Sequence, residues 1–111
     1  MSESQKVLKE TRGRIGLVTV NRPEALNALD QETLAGLETV FSGLREDQSV
    51  GAVVLTGSGE KAFIAGADIR ELSGLDPVAA REFSRRGQGV MNAIESFPKP
   101  VVAAVNGFCL G

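Results

Sequence analysis

The sequence predicts an α/β fold with a partly parallel β-sheet, and two observations support this class. Short apolar runs typical of buried strands alternate with longer segments of helical periodicity, in the order β-β-α-β-α-β. A continuous apolar strand follows each helix, as in sheets whose parallel strands are joined by helical crossovers. The 111 residues, of which 42% are hydrophobic, are enough for one small domain with its own core.

The first part of the chain predicts a β-hairpin followed by a helix. A weak strand over 7–11 and a stronger one over 15–20 are separated by a glycine. Pro23 ends the second strand because proline cannot donate a hydrogen bond to a sheet ladder. Asp30 is the predicted N-cap of an amphipathic helix over 31–46, in which apolar residues recur at helical spacing.

The rest of the chain predicts two buried strands and a long helix between them. The run over 51–56 is typical of a strand buried on both faces of a parallel sheet. Residues 62–69 are expected to form a strand stub and a turn into a short helix at Asp68. An Asp-Pro pair begins the helix over 76–97. The apolar run over 101–105 is the second strand that we expect to be buried.

Composition and charge argue against several classes of partner. The formal net charge is −2, and no block of like charge indicates nucleic-acid or membrane-surface binding. Residues 1–6 are polar and lack the order of a signal peptide. The run over 101–105, one of the longest apolar runs, is far too short to span a bilayer. We therefore predict a cytoplasmic protein.

The chain contains no histidine and a single cysteine, Cys109. Catalysis by Ser-His-Asp or Cys-His is therefore excluded from this stretch, as are an intrachain disulfide and any metal site that needs histidine. No metal site is predicted. Cys109 is flanked by apolar residues, so we expect a small buried side chain and not a nucleophile.

Two strand-to-helix turns are the strongest candidates for a functional site. The segments over 62–69 and 98–111 each pass from an apolar strand through small residues towards a helix start. Backbone N–H groups at such turns can bind an anion or a developing oxyanion. Two of these turns side by side would hold one oxygen between two donors, and small residues would let a ligand carbonyl approach the backbone.

These two segments, preceded by NRPEALNAL at 21–29, resemble the enoyl-CoA hydratase/isomerase (crotonase) superfamily over essentially the whole chain. The resemblance implies a spiral of ββα units assembled as homotrimers or hexamers. It also implies an acyl-coenzyme A thioester as substrate, with coenzyme A part of that substrate and no separate cofactor. The sequence stops directly after a strand and a turn, so we interpret 1–111 as the N-terminal part of such a domain, truncated at the second turn.

The resemblance also implies roles for particular residues. The thioester carbonyl would be held by two backbone N–H groups, the first of them that of Ala67. The second belongs to the middle glycine of a Gly-Gly-Gly run, of which only Gly111 is present, so that donor falls beyond the chain. Arg70 is expected either to approach the coenzyme phosphates or to be a solvated charge. The other positions implied to line the coenzyme site are Ala25, Ala28, Ala65, Gly66, Asp68, Ile69 and Leu110.

Within this superfamily the segment over 63–69 is most similar to the hydratases, which add water to the double bond of 2-enoyl-CoA thioesters in β-oxidation. Their two catalytic glutamates lie downstream of the triple glycine. Neither is present here, and the four glutamates in the second half of this chain do not occupy those positions, so we expect the 111 residues alone to be inactive. They are Glu60, Glu71, Glu82 and Glu95. Alternatives are an isomerase, dehalogenase, acyl-CoA hydrolase or synthase.

A dinucleotide-binding domain is the alternative from another class. Residues 53–62 fit a strand followed by G-x-G-x-x-A. A true fingerprint opens a helix directly after its glycines, whereas 62–67 is apolar and has no helical period.

Overall fold

A computed structural model describes residues 5–110, and its elements follow the predicted order. A single 3-10 turn, Pro23–Ala25, lies between the hairpin and the first helix. In chain order the strands and helices are β1 (Val7–Arg12), β2 (Ile15–Val20), α1 (Gln31–Glu46), β3 (Ala52–Gly57), α2 (Ile69–Ser73), α3 (Pro77–Glu95) and β4 (Val101–Ala104). The α/β class predicted from the sequence is confirmed.

The four strands form one sheet in the order β1-β2-β3-β4. β1 and β2 are an antiparallel hairpin, and Gly13 in its turn adopts a left-handed φ of 59°. β2 pairs with β3, and β3 with β4, in parallel. Helix α1 is the crossover between the first parallel pair, and α2 and α3 together make the second crossover.

The helices begin where the sequence predicts, and each has an aspartate at its N-cap. The side chain of Asp30 accepts a hydrogen bond from the Thr33 N–H at the start of α1. Asp68 and Asp76 cap α2 and α3 in the same way. Each cap satisfies a backbone donor that has no partner within its helix.

The core lies between the sheet and the inner faces of α1 and α3. Among its fully buried members are Leu34, Leu37 and Leu44 of α1, which pack against Val18, Val20 and Val53 of the sheet. The rings of Phe41 and Phe97 meet edge to face, with centroids 5.4 Å apart. Burying each such side chain stabilises the fold by about 1.5–3 kcal/mol.

Three predictions of burial are corrected by the structure. In β3, Val53 and Leu55 are buried but Val54 is only half-buried, so one face of the strand is covered and not two. In β4, Val102 is 57% exposed, because β4 is an edge of the described sheet and no element within 5–110 covers its outer face. Cys109 is exposed, since it lies in the uncovered segment after β4. Within 5–110, no helix is both long and apolar enough to cross a bilayer.

Candidate functional site

An apolar groove of about 700 Å³ runs between α1, α3 and the two predicted turns. Its lining combines core residues of the helices and strands with small residues of the first turn and residues of the segment after β4. Residues on its wall include Leu34, Leu37, Phe63, Ile64, Gly66, Ala67, Leu72, Phe83, Gly87, Met91, Cys109 and Leu110. A concave apolar site of this size is typical of small-molecule binding.

Ala67 lines this groove and forms a parallel bridge with Leu29. The Leu29 N–H donates to the carbonyl oxygen of Gly66 at 2.8 Å, and the Asp68 N–H donates to the carbonyl oxygen of Leu29 at 2.9 Å. In such a bridge the central residue directs its own N–H away from the partner strand. No residue within 5–110 accepts a hydrogen bond from the Ala67 N–H, so this exposed donor is free to bind a ligand.

The backbone around Ala67 is small and firmly attached to the preceding loop. Gly66 has a φ of 110°, a conformation that residues with a Cβ rarely adopt. The Ala65 N–H donates to the carbonyl oxygen of Leu26 at 3.2 Å. Asp68 accepts from the Glu71 N–H and begins α2. The turn therefore places the Ala67 N–H close to the N-terminus of α2, directly after a residue that has no side chain.

The second predicted turn lies next to the first, because Ala62 and Phe108 form another parallel bridge. The Phe63 N–H donates to the carbonyl oxygen of Phe108 at 2.8 Å, and the Phe108 N–H donates to that of Lys61 at 2.9 Å. Gly107 is required here, since a Cβ would lie 2.3 Å from the Lys61 oxygen. Gly111, predicted to adjoin the second donor, lies outside the described residues.

Two asparagines that the sequence analysis did not identify hold these turns together. Asn27 is fully buried and adopts a φ of 57°; its Oδ1 accepts from the Arg22 N–H, and its Nδ2 donates to Ser58 and Ala62 carbonyl oxygens. Asn106 also donates to the Ala62 oxygen. Asparagine tolerates the left-handed conformation better than most residues. An asparagine in a predicted turn is therefore the only local sequence signal that could have indicated the role of Asn27.

Arg22 was also missed as a site residue, and its guanidinium lies between two helix caps. Nη1 donates to the carbonyl oxygen of Ala28 at 2.7 Å and to Oδ2 of Asp68 at 2.9 Å. Nε lies 3.6 Å from Oδ2 of Asp30 and is buried without a hydrogen-bond partner in the described structure. The side chain is only 13% exposed. A single charge whose partners lie on two chain segments, at 28–30 and at 68, has no signature in local sequence.

Both cap carboxylates carry a lowered pKa. Burial would raise the pKa of Asp30, but hydrogen bonds from Lys6 and Thr33, together with the charge of Arg22, outweigh it and bring the pKa to about 2. The Glu71 N–H lowers the pKa of Asp68, and the Arg22 guanidinium lowers it further against the opposing effect of burial. Both groups are therefore carboxylates at neutral pH and neither can serve as a proton donor there.

The other predicted positions lie at varying distances from the groove. Ala28 is buried and Ala25 half-buried, and neither is among the residues that line the groove. Ile69 is 77% exposed and Arg70 is exposed on α2, and neither is among the residues that line the groove. The groove wall formed by residues 5–110 includes no carboxylate. Over the same range, no three His, Cys, Asp or Glu side chains are grouped as metal ligands.

The dinucleotide-binding alternative is wrong on structural grounds. No helix opens after the glycines at 57 and 59, and α2 begins only at Ile69. The segment between them is the extended turn that carries Ala67. A pyrophosphate at the predicted fingerprint would face no helix N-terminus.

Residues 10–111 match the protein family described as Enoyl-CoA hydratase/isomerase. The chain is 46% identical over 109 residues to the short-chain-enoyl-CoA hydratase of Clostridium acetobutylicum, an alignment that covers 98% of this chain and 42% of that protein. It is 41% identical over 107 residues to the crotonyl-CoA hydratase of Syntrophomonas wolfei, covering 96% of this chain and 41% of that protein.

Solved structures are similar as well. The crystal structure of an enoyl-CoA hydratase from Bacillus anthracis superposes with a TM-score of 0.90 and 32% identity, over 93% of this chain and 40% of that one. An enoyl-CoA hydratase from Thermoplasma volcanium gives a TM-score of 0.86 and 38% identity, over 94% and 41% of the two chains. The chain thus spans about two fifths of the length of these relatives.

Proposed function

The chain belongs to the enoyl-CoA hydratase/isomerase family, and from this premise we propose that the full-length protein is an enoyl-CoA hydratase. The crotonase-like α/β fold expected from the sequence is confirmed for the part that the chain covers. Relatives named short-chain-enoyl-CoA hydratase and crotonyl-CoA hydratase support the choice of reaction. We further propose that residues 1–111 are the N-terminal part of the domain, and that the whole protein is a cytoplasmic homotrimer or hexamer.

The free N–H of Ala67 is the observation that carries the proposal. In hydration, the oxygen of water bonds to C3 of the enoyl group while one O–H bond of that water breaks and its proton passes to a base, and the electrons of the double bond move towards the thioester carbonyl. The resulting enolate then takes a proton at C2. An N–H already aimed at the carbonyl oxygen stabilises the negative charge that develops there, by about 2.7–4 kcal/mol for one preorganised donor.

The groove suits the acyl part of such a substrate. Its lining is mostly apolar and includes Gly66 and Ala67, whose small size would leave the backbone accessible to a thioester. We propose that a second N–H donor and the acid–base groups come from residues beyond 110. The coenzyme moiety would then contact the backbone of Ala65, Asp68 and Ile69 and the loop that contains Ala25 and Ala28, with Arg70 near its phosphates.

The test is hydration of crotonyl-CoA by the full-length protein, followed as loss of the conjugated thioester absorbance. Ala67→Pro removes the N–H and breaks no hydrogen bond within the described residues, so kcat should fall about 100- to 1000-fold. Ala67→Gly keeps the N–H and should retain activity. Circular dichroism and thermal unfolding establish that both variants fold.

Two results would contradict the proposal in different ways. A folded Ala67→Pro variant with the wild-type rate would remove Ala67 from the catalytic site. A folded wild-type protein that binds crotonyl-CoA without hydrating it would assign the reaction to an isomerase, dehalogenase, hydrolase or synthase of the same family.

A further inference from the structure

The Leu29–Ala67 bridge determines the direction of the free Ala67 N–H. A single atom, Nη1 of Arg22, forms hydrogen bonds next to both residues of this bridge. Nη1 of Arg22 donates to the carbonyl oxygen of Ala28, next to Leu29, and to the carboxylate of Asp68, next to Ala67. We propose that Arg22 is a positioning residue that sets the direction of the Ala67 N–H. This inference rests on the proposed function, because it assigns that N–H a ligand carbonyl.

The contacts of Arg22 are those of a fixed group and not of a surface charge. Its side chain is 13% exposed, and those of its two carboxylate neighbours, Asp30 and Asp68, are 9% and 14% exposed. Hydrogen bonds in which the donor or the acceptor is ionised are shorter and stronger than neutral ones. The Nη1 distances of 2.7 and 2.9 Å are in that range. The guanidinium thus restrains the backbone on both sides of the bridge.

Each carboxylate also begins a helix, so the restraint reaches beyond the loop. Asp30 caps α1 and Asp68 caps α2, and the buried Nε of Arg22 faces the former without a hydrogen bond. Movement of Arg22 would therefore shift the start of α2, and with it the peptide that carries the Ala67 N–H. A misplacement of about 1 Å at a reacting centre can cost about 100-fold in rate.

Lysine cannot replace this arrangement fully, because its ammonium is a point charge and not a planar fork. Arg22→Lys keeps the positive charge but replaces the planar guanidinium, including the buried Nε, by a single ammonium, whereas Arg22→Met keeps only the aliphatic stem. Lys99 supplies a matched control. Its Nζ donates to the carbonyl oxygens of Leu44 and Asp47, both at 2.7 Å, at the other end of α1. Lys99→Met removes a comparable pair of part-buried hydrogen bonds, and Lys99 is not among the residues that line the groove.

The experiment uses the full-length protein and two readouts. The first is kcat and KM for crotonyl-CoA. The second is the infrared C=O stretching band of bound butyryl-CoA, a saturated thioester that does not react, whose frequency falls when an N–H donor polarises the carbonyl. We expect Arg22→Met to lower kcat about 10- to 100-fold with KM within about threefold, and to move the band towards its position in free butyryl-CoA. Arg22→Lys should be intermediate, and Lys99→Met should match the wild type in both readouts.

The outcomes separate positioning from stability and from the proposed reaction. If the arginine variants lose stability, as Lys99→Met does, but keep kcat and the carbonyl band, Arg22 is only structural and the inference is overturned. If Arg22→Met does not fold, Arg22→Lys decides in the same way. A wild type that shifts the band without hydrating crotonyl-CoA refutes the hydratase proposal alone, and loss of that shift in the arginine variants still supports positioning. A wild type that hydrates crotonyl-CoA without a band shift overturns the positioning role alone, and one that neither hydrates crotonyl-CoA nor shifts the band overturns both.

Discussion

The side-chain amides of Asn27 and Asn106 converge on one acceptor, the carbonyl oxygen of Ala62, at N···O distances of 3.0 and 3.1 Å. The two asparagines lie in different parts of the chain, one in the loop before α1 and the other after β4. Ala62 is also the residue that bridges to Phe108. A single buried carbonyl therefore connects the loop, the first turn and the second turn, so the relative placement of the turns depends on two amide groups.

Replacing Asn27 by aspartate tests how much this connection contributes to stability. Asn27→Asp preserves the shape of the side chain and the oxygen that accepts from the Arg22 N–H. It replaces the Nδ2 donor by an oxygen, which would face the carbonyl oxygens of Ser58 and Ala62. Because the site is fully buried, we expect the free energy of unfolding to fall by about 2–4 kcal/mol at neutral pH. Urea unfolding followed by circular dichroism measures the change.

Asn21→Asp is the matched control for that substitution. Asn21 makes one exposed hydrogen bond, from its Nδ2 to the carbonyl oxygen of Gln5, and its loss should cost less than about 1 kcal/mol. Equal effects of the two substitutions would show that the buried amide contributes no more than an exposed one.

Gly107 is predicted to be intolerant of any side chain. In Gly107→Ala the Cβ would lie 2.3 Å from the carbonyl oxygen of Lys61, so the two turns must separate. We expect a loss of at least about 2 kcal/mol in unfolding free energy and a marked fall in kcat of the full-length protein. Gly43→Ala makes the same change in α1, where a Cβ meets no atom within 4 Å, and should stabilise by about 0.5–1 kcal/mol. Stability unchanged by Gly107→Ala would disprove the close approach.

Asp30 should make stability depend on pH in the acid range. Its pKa in the folded protein is about 2, below the ordinary value of 3.8, so its contribution is fully present above pH 4 and is lost as the pH falls towards 2. The side chain introduced by Asp30→Asn can still cap α1 but cannot form an ion pair with Lys6 or Arg22. The difference in unfolding free energy between wild type and variant should be largest at about pH 5–7 and shrink below about pH 4. A difference independent of pH would contradict the ionic role.

Lys99 should contribute to stability without affecting catalysis. Its ammonium donates to the carbonyl oxygens of Leu44 and Asp47 at the C-terminal end of α1, and each of these oxygens also accepts one backbone hydrogen bond. We expect Lys99→Met to lower the free energy of unfolding by about 1–2 kcal/mol. Thermal and urea unfolding give this value, and kcat for crotonyl-CoA should equal that of the wild type. A fall in kcat would mean that the end of α1 is coupled to the groove.

The fold was predictable because its signals are local. Apolar periodicity located the strands and helices, and an aspartate before each helix marked its start. The position of Ala67 at a turn came from small residues next to Asp68 and from the family resemblance. Apolar periodicity could not predict which of the apolar side chains are exposed. Val102 and Cys109 belong to apolar segments, but their burial depends on which element covers β4, and none within 5–110 does.

The polar supports of the site were not predictable from the sequence. Arg22, Asn27 and Asn106 act through partners that are 46, 35 and 44 residues away along the chain. A polar residue in a loop is usually solvated, and only the three-dimensional arrangement distinguishes these from their exposed neighbours. The sequence thus indicates where the candidate donor lies, and the structure adds what holds it in place.

The order of strands in the sheet equals their order along the chain, and this has a consequence for biosynthesis. The hairpin can close as soon as β2 leaves the ribosome, and each later strand then finds its neighbour already formed at one growing edge. Within the described sheet, no strand that is synthesised later has to insert between two strands that are synthesised earlier. Vectorial synthesis from the N-terminus and growth of this sheet therefore proceed in the same direction.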